Sequence, residues 1–152
     1  MKIYQIFEEH ENMSDSTRQA IDQFVTEWQK DANNIKKDFL FLKNNFESRS
    51  DVKLDFIARP GVSYSLRAAH TAQKKRTLFV MVDIIDDDPE NRWLSVCFYG
   101  EMITDPDEKG DLIPEGLLGE DGYCFDHEEG NDADIAYIQA RIDEAYSAAG
   151  KE

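Results

Sequence analysis

The chain has 152 residues, and its 32 acidic residues against 17 basic ones give a formal net charge of −15. This length suits one domain, and an apolar fraction of 41% with nine Phe, six Tyr and two Trp is enough to build a core. The acid excess argues against a general nucleic-acid binder, because affinity for phosphate backbones depends on Lys and Arg. Residues 1–152 are therefore predicted to form a single acidic domain.

The first 49 residues are predicted to be mainly helical. Residues 3–10 place apolar side chains on one helical face, although so short a segment could instead be an edge strand. A clearer helix begins after Ser14 or Ser16, either of which is a good N-cap. Two apolar stripes at helical spacing then mark two helices, the first through Ile21, Phe24, Val25 and Trp28 and the second through Ile35, Phe39, Leu42 and Phe46.

From residue 50 to residue 128 the apolar period changes to two, which predicts strands. Pro60 and Gly61 supply turn chemistry between the first two strands, residues 77–85 are apolar on both faces like a central strand, and residues 93–99 return as an aromatic strand. Residues 100–122 are predicted to be a long acidic loop with room for one helical turn, before a short strand at 123–125.

A C-terminal amphipathic helix is predicted over residues 131–150, with Asn131 or Asp132 as its cap and Gly150 as its stop. The order of elements is helices, sheet, helix. This order predicts an α+β domain, with an antiparallel sheet of four to five strands and the N-terminal and C-terminal helices packed on one face.

The charge is unevenly distributed along the chain. Residues 83–134 hold 18 of the 32 acidic residues with only Arg92 and Lys109 as bases, a net charge of −16, while the other hundred residues are close to neutral. The acidity therefore belongs to the turns and the loop of the second half, and any partner is expected to meet the protein there.

Two acidic segments are candidate cation sites. Asp86, Asp87 and Asp88 fall in a turn, where short carboxylates usually bond to their own backbone. The loop carrying Asp105, Asp107 and Asp111 resembles a calcium loop in part. Lys109, however, occupies a ligand position and Gly116 stands where a bidentate Glu is required, so no metal site is predicted and these three are only weak candidates.

No catalytic or cofactor signature is present. The three histidines, His10, His70 and His127, lack the spacing of a zinc helix, and the glycines at 116, 119 and 122 lack the strand and helix of a dinucleotide site. Cys97 and Cys124 are too few for a disulfide framework, and residues 1–13 do not resemble a signal peptide. We therefore expect reduced thiols, a cytoplasmic location and no cofactor.

The second half resembles a known family. The stretch Trp93-Leu94-Ser95-Val96, the loop Pro114-Glu115-Gly116, the aromatic strand at 123–125 and the closing helix with Ile142-Asp143-Glu144-Ala145-Tyr146 are similar to the MmcQ/YjbR-like group of small bacterial proteins. The resemblance covers residues 60–149. It implies an α+β fold, sometimes compared with the frataxin-like fold, and the DNA-binding role suggested for the group, and it brings no catalytic residue.

Three functions remain open from the sequence. The leading hypothesis is a non-enzymatic interaction module that presents an acidic face, formed by Asp86, Asp87, Asp88, Glu120 and Asp121, to a basic partner protein or to cations. The second is a ligand-binding or enzymatic cleft between sheet and helices, lined by Tyr64, Trp93, Cys97 and Tyr123. The third is weak nucleic-acid binding through Lys74, Lys75 and Arg76. The sequence indicates no membrane contact and leaves the oligomeric state open.

Overall fold

The computed structural model describes residues 12–152, so the expectation for residues 3–10 lies outside the described residues. Residues 12–152 contain three α-helices, α1 at Asp15–Glu27, α2 at Lys36–Glu47 and α3 at Asp132–Ala149. Ser14 caps α1 by accepting the Thr17 amide, and Asn131 caps α3 by accepting the Asp134 amide. The two helices predicted between Ser14 and residue 49 and the C-terminal helix are therefore confirmed, and Ser14 and Asn131 are the caps among the alternatives proposed.

The described residues form one antiparallel sheet of six strands, in the spatial order β1-β2-β3-β4-β6-β5. The expected number of four to five strands is therefore wrong. A short 3-10 helix, Gly100–Met102, follows β4. The strands are β1 Val52–Arg59, β2 Ser63–His70, β3 Val80–Ile85, β4 Trp93–Tyr99, β5 Asp111–Leu117 and β6 Glu120–His127.

Strand β5 accounts for the additional strand, and it lies where the sequence predicts part of a loop. Its first five residues are exposed, it contains Pro114, and its register with β6 is interrupted between Ile113 and Leu117. A short strand at a sheet edge has no alternating buried face, and proline is tolerated there because its missing N–H points away from the ladder. The composition of β5 is therefore typical of a loop, although its backbone pairs with β6.

The chain reaches this arrangement by skipping one position in the sheet. After β4 it passes to the edge, forms β5, and returns as β6 into the gap beside β4. Register pairs Leu94 with His127 and Tyr99 with Gly122, so the C-terminal end of β6 lies beside the start of β4. That end of the sheet also carries the turn between β3 and β4.

The buried core joins the helices to alternate side chains of the sheet. Phe24 of α1 contacts the rings of Phe56 and Tyr64, and Tyr137 of α3 contacts Phe125. The registers of β1, β2, β3, β4 and β6 place Phe56, Tyr64 and Phe125 on the same face of the sheet as Leu66, Val82 and Val96. Burial of this apolar set provides the main favourable free energy of folding.

The loop between α1 and α2 connects three parts of the chain at this end of the sheet. Asn33 donates to the Arg92 carbonyl at 3.0 Å, and its own carbonyl accepts the Gly130 amide at 2.8 Å. A β-carbon on Gly130 would lie 2.0 Å from the Asn34 carbonyl oxygen. Only glycine fits this close approach, which holds the connection between β6 and α3 against the loop.

Cys97 and Cys124 form a disulfide in the structure. They are directly opposite each other on β4 and β6, with their α-carbons 4.1 Å apart, and both side chains are buried. The expectation of reduced thiols is therefore wrong, since it considered spacing along the chain and not the register that brings the two strands together. Cytoplasmic residence, which depended partly on those thiols, stays a prediction.

Candidate functional site: an acidic cleft beside β6

A cleft lies between the last part of β6 and the start of α3, and we call it the acidic cleft. Its cavity measures about 460 Å³, which is within the usual range for a ligand pocket. Four of its lining residues are acidic and one is basic. The lining consists of Lys109, Phe125, Asp126, His127, Glu128, Glu129, Asp134, Tyr137 and Ile138.

The cleft exists because β5 is shorter than β6 at this end. The pairing of the two strands begins with Asp111 opposite Cys124, so the described residues place no strand beside Asp126 or Glu128. Gly110, just before β5, lies where a β-carbon would come within 2.4 Å of the Tyr123 ring and 2.9 Å of the Phe125 ring. The chain therefore crosses tightly over these rings and leaves the edge of β6 uncovered.

The main chain of β6 presents hydrogen-bonding groups to this uncovered edge. The α-carbons of Cys97 and Cys124 are 4.1 Å apart, a separation typical of a non-hydrogen-bonded antiparallel pair. The alternation of the ladder then makes Phe125 and His127 bond to β4, while the N–H and C=O of Asp126 point away from it. β6 ends at His127, and Glu128 follows directly after the strand.

The carboxylates of the cleft repel one another. The pKa of Asp126 is raised, first by partial burial and then by the negative charges of Glu128 and Asp111. Among residues 12–152, Asp126, Glu128 and Glu129 have no cationic side chain within 4 Å, and Glu128 and Glu129 also border a shallow hollow beside Asn33 and Trp93. A positive ligand would relieve this repulsion.

Lys109 shows how a cation fits in the cleft. Its ammonium group lies 3.3 Å from an Asp134 oxygen and 5.0 Å from the centre of the Tyr137 ring. This arrangement combines an ion pair with a cation–π contact. The side chains of Lys109 and Asp134 remain about half exposed, so the contact is open to exchange with an incoming cation.

A buried pair forms the wall behind the cleft. The His127 Nε2 atom lies 2.6 Å from an Asp38 oxygen, and each side chain is only 3% exposed. Asp38 also accepts the Lys37 ammonium at 2.7 Å and the Asn131 amide at 3.0 Å. Burial would raise the pKa of Asp38, but bonds from Lys37, His127 and Asn131 outweigh it and lower that pKa. The pair therefore joins α2, β6 and the start of α3.

The loop before β5 uses its carboxylate differently. Asp105 accepts the amides of Lys109 and Gly110 at 3.0 and 2.9 Å and the hydroxyls of Tyr123 and Tyr137. Burial acts to raise the pKa of Asp105, but these four donors together lower it to about 2. Both oxygens of this carboxylate are thus occupied within the protein.

The weak cation candidates do not form a site. Asp105 is committed to its four donors, Asp107 is an exposed loop residue, and Asp111 belongs to β5 opposite Cys124. Within residues 12–152, no group of three or more His, Cys, Asp or Glu side chains is arranged to hold a metal ion.

The four residues predicted to line a pocket lie apart. Tyr64 packs among Phe24, Phe56 and Arg92, and the Tyr123 hydroxyl donates to Asp105. Trp93 and Cys97 lie on the other face of the sheet from Tyr64 and Tyr123, and Cys97 is bonded to Cys124. Of the four, Trp93 borders the shallow hollow beside the acidic cleft, so the four side chains do not line one pocket together.

The predicted acidic face is divided between the two ends of the sheet. Glu120 and Asp121 lie at the tip of the β5–β6 hairpin, beside the end of β4, whereas Asp87 and Asp88 lie in the β3–β4 turn near its start. Asp86 is not a surface residue, since it is 3% exposed and accepts Arg92 at 2.7 Å and the Gly61 amide at 2.8 Å. The five residues therefore do not form one surface.

Acidic side chains of the protein contact the basic cluster. The Arg76 guanidinium contacts Glu101 at 2.5 Å and Glu120 at 3.3 Å and stacks over the Tyr99 ring. The main-chain amides of Lys74 and Lys75 donate to the Glu152 carboxylate. The exposed ammonium groups of Lys74 and Lys75 are then the charges that this cluster presents, and nucleic-acid binding through it stays a prediction.

The residues of the acidic cleft were not singled out from the sequence. Asp126, Glu128, Glu129 and Asp134 are within the acidic segment, but nothing in their spacing distinguishes them from the other acids. The clearest available signal was the change at residue 126, where apolar alternation ends and acids begin directly before the cap Asn131. The partner of His127, Asp38, is 89 positions away and gave no sequence signal.

Comparison with family models, with curated proteins and with solved structures returned no match for this chain. The resemblance of residues 60–149 to MmcQ/YjbR-like proteins therefore stays a prediction. None of the helices within residues 12–152 combines the length and the apolar character needed to cross a bilayer.

Proposed function

We propose that this protein is a non-enzymatic interaction module, and that the acidic cleft recognises cationic side chains of a basic partner protein. The observation that carries the proposal is the concentration of Asp126, Glu128 and Glu129, without nearby cations among the described residues, around a cavity of about 460 Å³. Charge complementarity of this kind increases the association rate and excludes acidic partners.

The wall of the cleft supports the same function. Phe125 and Tyr137 supply aromatic surface next to the carboxylates, and Lys109 already makes the ion pair and the ring contact that a partner's lysine would make. Lysine and arginine side chains have long apolar stems below their charge, so a cleft with apolar walls and an acidic rim suits them. We also propose that the helices pack on one face of the sheet. That face carries Phe125, which contacts Tyr137 of α3, and His127, which contacts Asp38 of α2.

The test is binding of a fluorescent five-residue peptide of alternating Lys and Val, followed by fluorescence anisotropy at low and moderate salt. We expect binding that weakens as salt increases, and no binding of the matching Glu and Val peptide. The double variant Glu128→Gln with Glu129→Gln should reduce affinity by about tenfold, since the two exposed charge pairs together contribute on the order of 1.4 kcal/mol.

The control carries the same change of charge at the other end of the sheet. Glu120→Gln with Asp121→Asn should alter affinity by less than about threefold. These residues lie at the opposite end of β6 from the cleft, and at that separation salt screens their charges. Equal losses in the two double variants would show a general effect of net charge and would overturn the assignment to the cleft. Absence of binding by the wild-type protein at low salt would overturn the function itself.

A further inference from the structure

We infer that the ligand of the acidic cleft is an extended cationic peptide that adds to the sheet as a short antiparallel strand along the uncovered edge of β6. This inference rests on the proposed function and specifies its partner. The juxtaposition that supports it is the unpaired edge of β6 at Asp126, which directly borders the cleft, with Glu128 just beyond the end of the strand. Peptides commonly bind by adding a strand, with main-chain bonds giving affinity and side chains giving specificity.

The edge has the required main-chain geometry. The N–H and C=O of Asp126 point away from β4 toward the position where β5 would lie if it extended further. Because β5 begins at Asp111, opposite Cys124, an added strand would occupy the same line as β5 and continue the sheet. It would pair with a strand that is fixed on its other side by β4 and by the disulfide.

The free edge of β5 is a poorer place for such a strand. Pro114 lacks an N–H, and the register is broken between Ile113 and Leu117, so only a few residues keep regular strand geometry. Proline and bulges of this kind are typical protection of an edge strand. The uncovered part of β6 carries neither feature.

Side chains of an added strand would alternate between two different environments. Residues opposite Asp126 and Glu128 would place their side chains beside these carboxylates, where cross-strand pairs of opposite charge are stabilising. The intervening residues would face Phe125, Tyr137 and Ile138, which form the apolar part of the cleft. The expected ligand is therefore a peptide in which basic and apolar residues alternate. A small diamine carries the positive charge but has neither the main-chain groups nor the apolar side chains.

The experiment uses the full chain and three peptides of alternating Lys and Val, each with five residues and the same charge. One is unmodified, one is methylated on the backbone nitrogens of its lysines, and one on those of its valines. In an antiparallel pair the residue opposite Asp126 bonds to β6 through its own N–H, so lysine methylation removes these bonds and valine methylation removes outward-pointing ones.

We expect lysine methylation to weaken binding by at least tenfold and valine methylation to weaken it by less than about threefold. Equal affinity of all three peptides would overturn strand addition while leaving recognition of charge intact. Loss confined to the valine-methylated peptide would overturn the antiparallel alignment. Failure of all three peptides to bind would instead count against the proposed function.

Hydrogen exchange provides a second measurement that does not depend on modified peptides. The amides of Asp126 and Glu128 should exchange more slowly when the unmodified peptide is bound, because they become donors to the added strand. The diamine cadaverine is the control, since it carries positive charge without main-chain groups and should leave these two amides unprotected. Unchanged exchange of both amides in the saturated peptide complex would contradict the inference.

Discussion

The loop around Asp105 and the acidic cleft are adjacent regions that use carboxylates in opposite ways. Asp105 accepts bonds from four donors, and its pKa is lowered to about 2, whereas the pKa of Asp126 is raised by burial and by its acidic neighbours. Tyr137 belongs to both regions, since its hydroxyl donates to Asp105 and its ring borders the cleft. The number of nearby donors, and not the local density of acids, therefore decides whether a carboxylate stabilises the fold or remains available for a ligand.

The buried carboxylate behind the cleft should give the largest effect on stability. Replacing Asp38 by Asn removes the negative charge that His127 and Lys37 contact, and His127 is buried with no access to water in compensation. We expect the free energy of unfolding to fall by about 1–3 kcal/mol, the range for disturbing a buried hydrogen bond to a charged group. Urea unfolding followed by circular dichroism measures this loss.

The matched control for Asp38 is Asp132→Asn. Asp132 is the other carboxylate within reach of Lys37, at 3.3 Å, but its side chain is 99% exposed. An exposed pair of this kind contributes at most about 1 kcal/mol, so this variant should unfold close to the wild-type midpoint. Similar losses in the two variants would mean that the Asp38–His127 pair does not join the elements behind the cleft.

Asp105 should give the next largest effect, and its effect should depend on pH. Its pKa in the folded protein is lower than the ordinary value of 3.8, so its contribution is present above pH 4 and is lost as the pH falls toward 2. Allowing for solvent screening, we expect Asp105→Asn to lower the free energy of unfolding by about 1 kcal/mol at neutral pH. The difference from the wild type should shrink in acid.

Asp107→Asn serves as the control for this variant, because Asp107 is exposed in the same loop and its amide, not its carboxylate, contacts Tyr137. Its unfolding should follow the wild type at every pH between 2 and 7. A constant difference for Asp105→Asn across that range would show that the four donors do not act through the charge of Asp105.

The sequence predicted the regular elements better than it predicted the site. Apolar spacing identified α1, α2, α3 and the hairpin of β1 and β2, since these elements bury one face and so must repeat with their own period. Strand β5 was missed because an edge strand with exposed side chains leaves no such pattern. The α+β class followed from the order of elements, whereas the number of strands did not.

The acidic cleft depends on relations that one-dimensional spacing does not contain. The excess of acid in residues 83–134 was evident, but Asp126 differs from Asp105 only through the donors that the fold places around each. Cys97 and Cys124 likewise meet only through the register of β4 and β6. Both outcomes depend on contacts between residues far apart in the sequence, such as Tyr137 with Asp105 and Cys97 with Cys124.

The smallest expected effect on stability, that of replacing Asp126, has the opposite sign. It tests most directly whether the cleft and the Asp105 loop use their carboxylates differently. Because the pKa of Asp126 is raised in the folded protein, its charged form costs stability at neutral pH, and this cost disappears as the pH falls below 3.8. Asp126→Asn should therefore raise the free energy of unfolding by a few tenths of a kcal/mol at pH 7, a modest gain because solvent screens an exposed side chain. The same substitution should weaken binding of the Lys and Val peptide, since it removes one of the repelling charges that a cationic ligand offsets. Urea unfolding and anisotropy on this single variant would measure both changes, and a loss of stability together with unchanged binding would mean that Asp126 acts like Asp105, as a structural carboxylate.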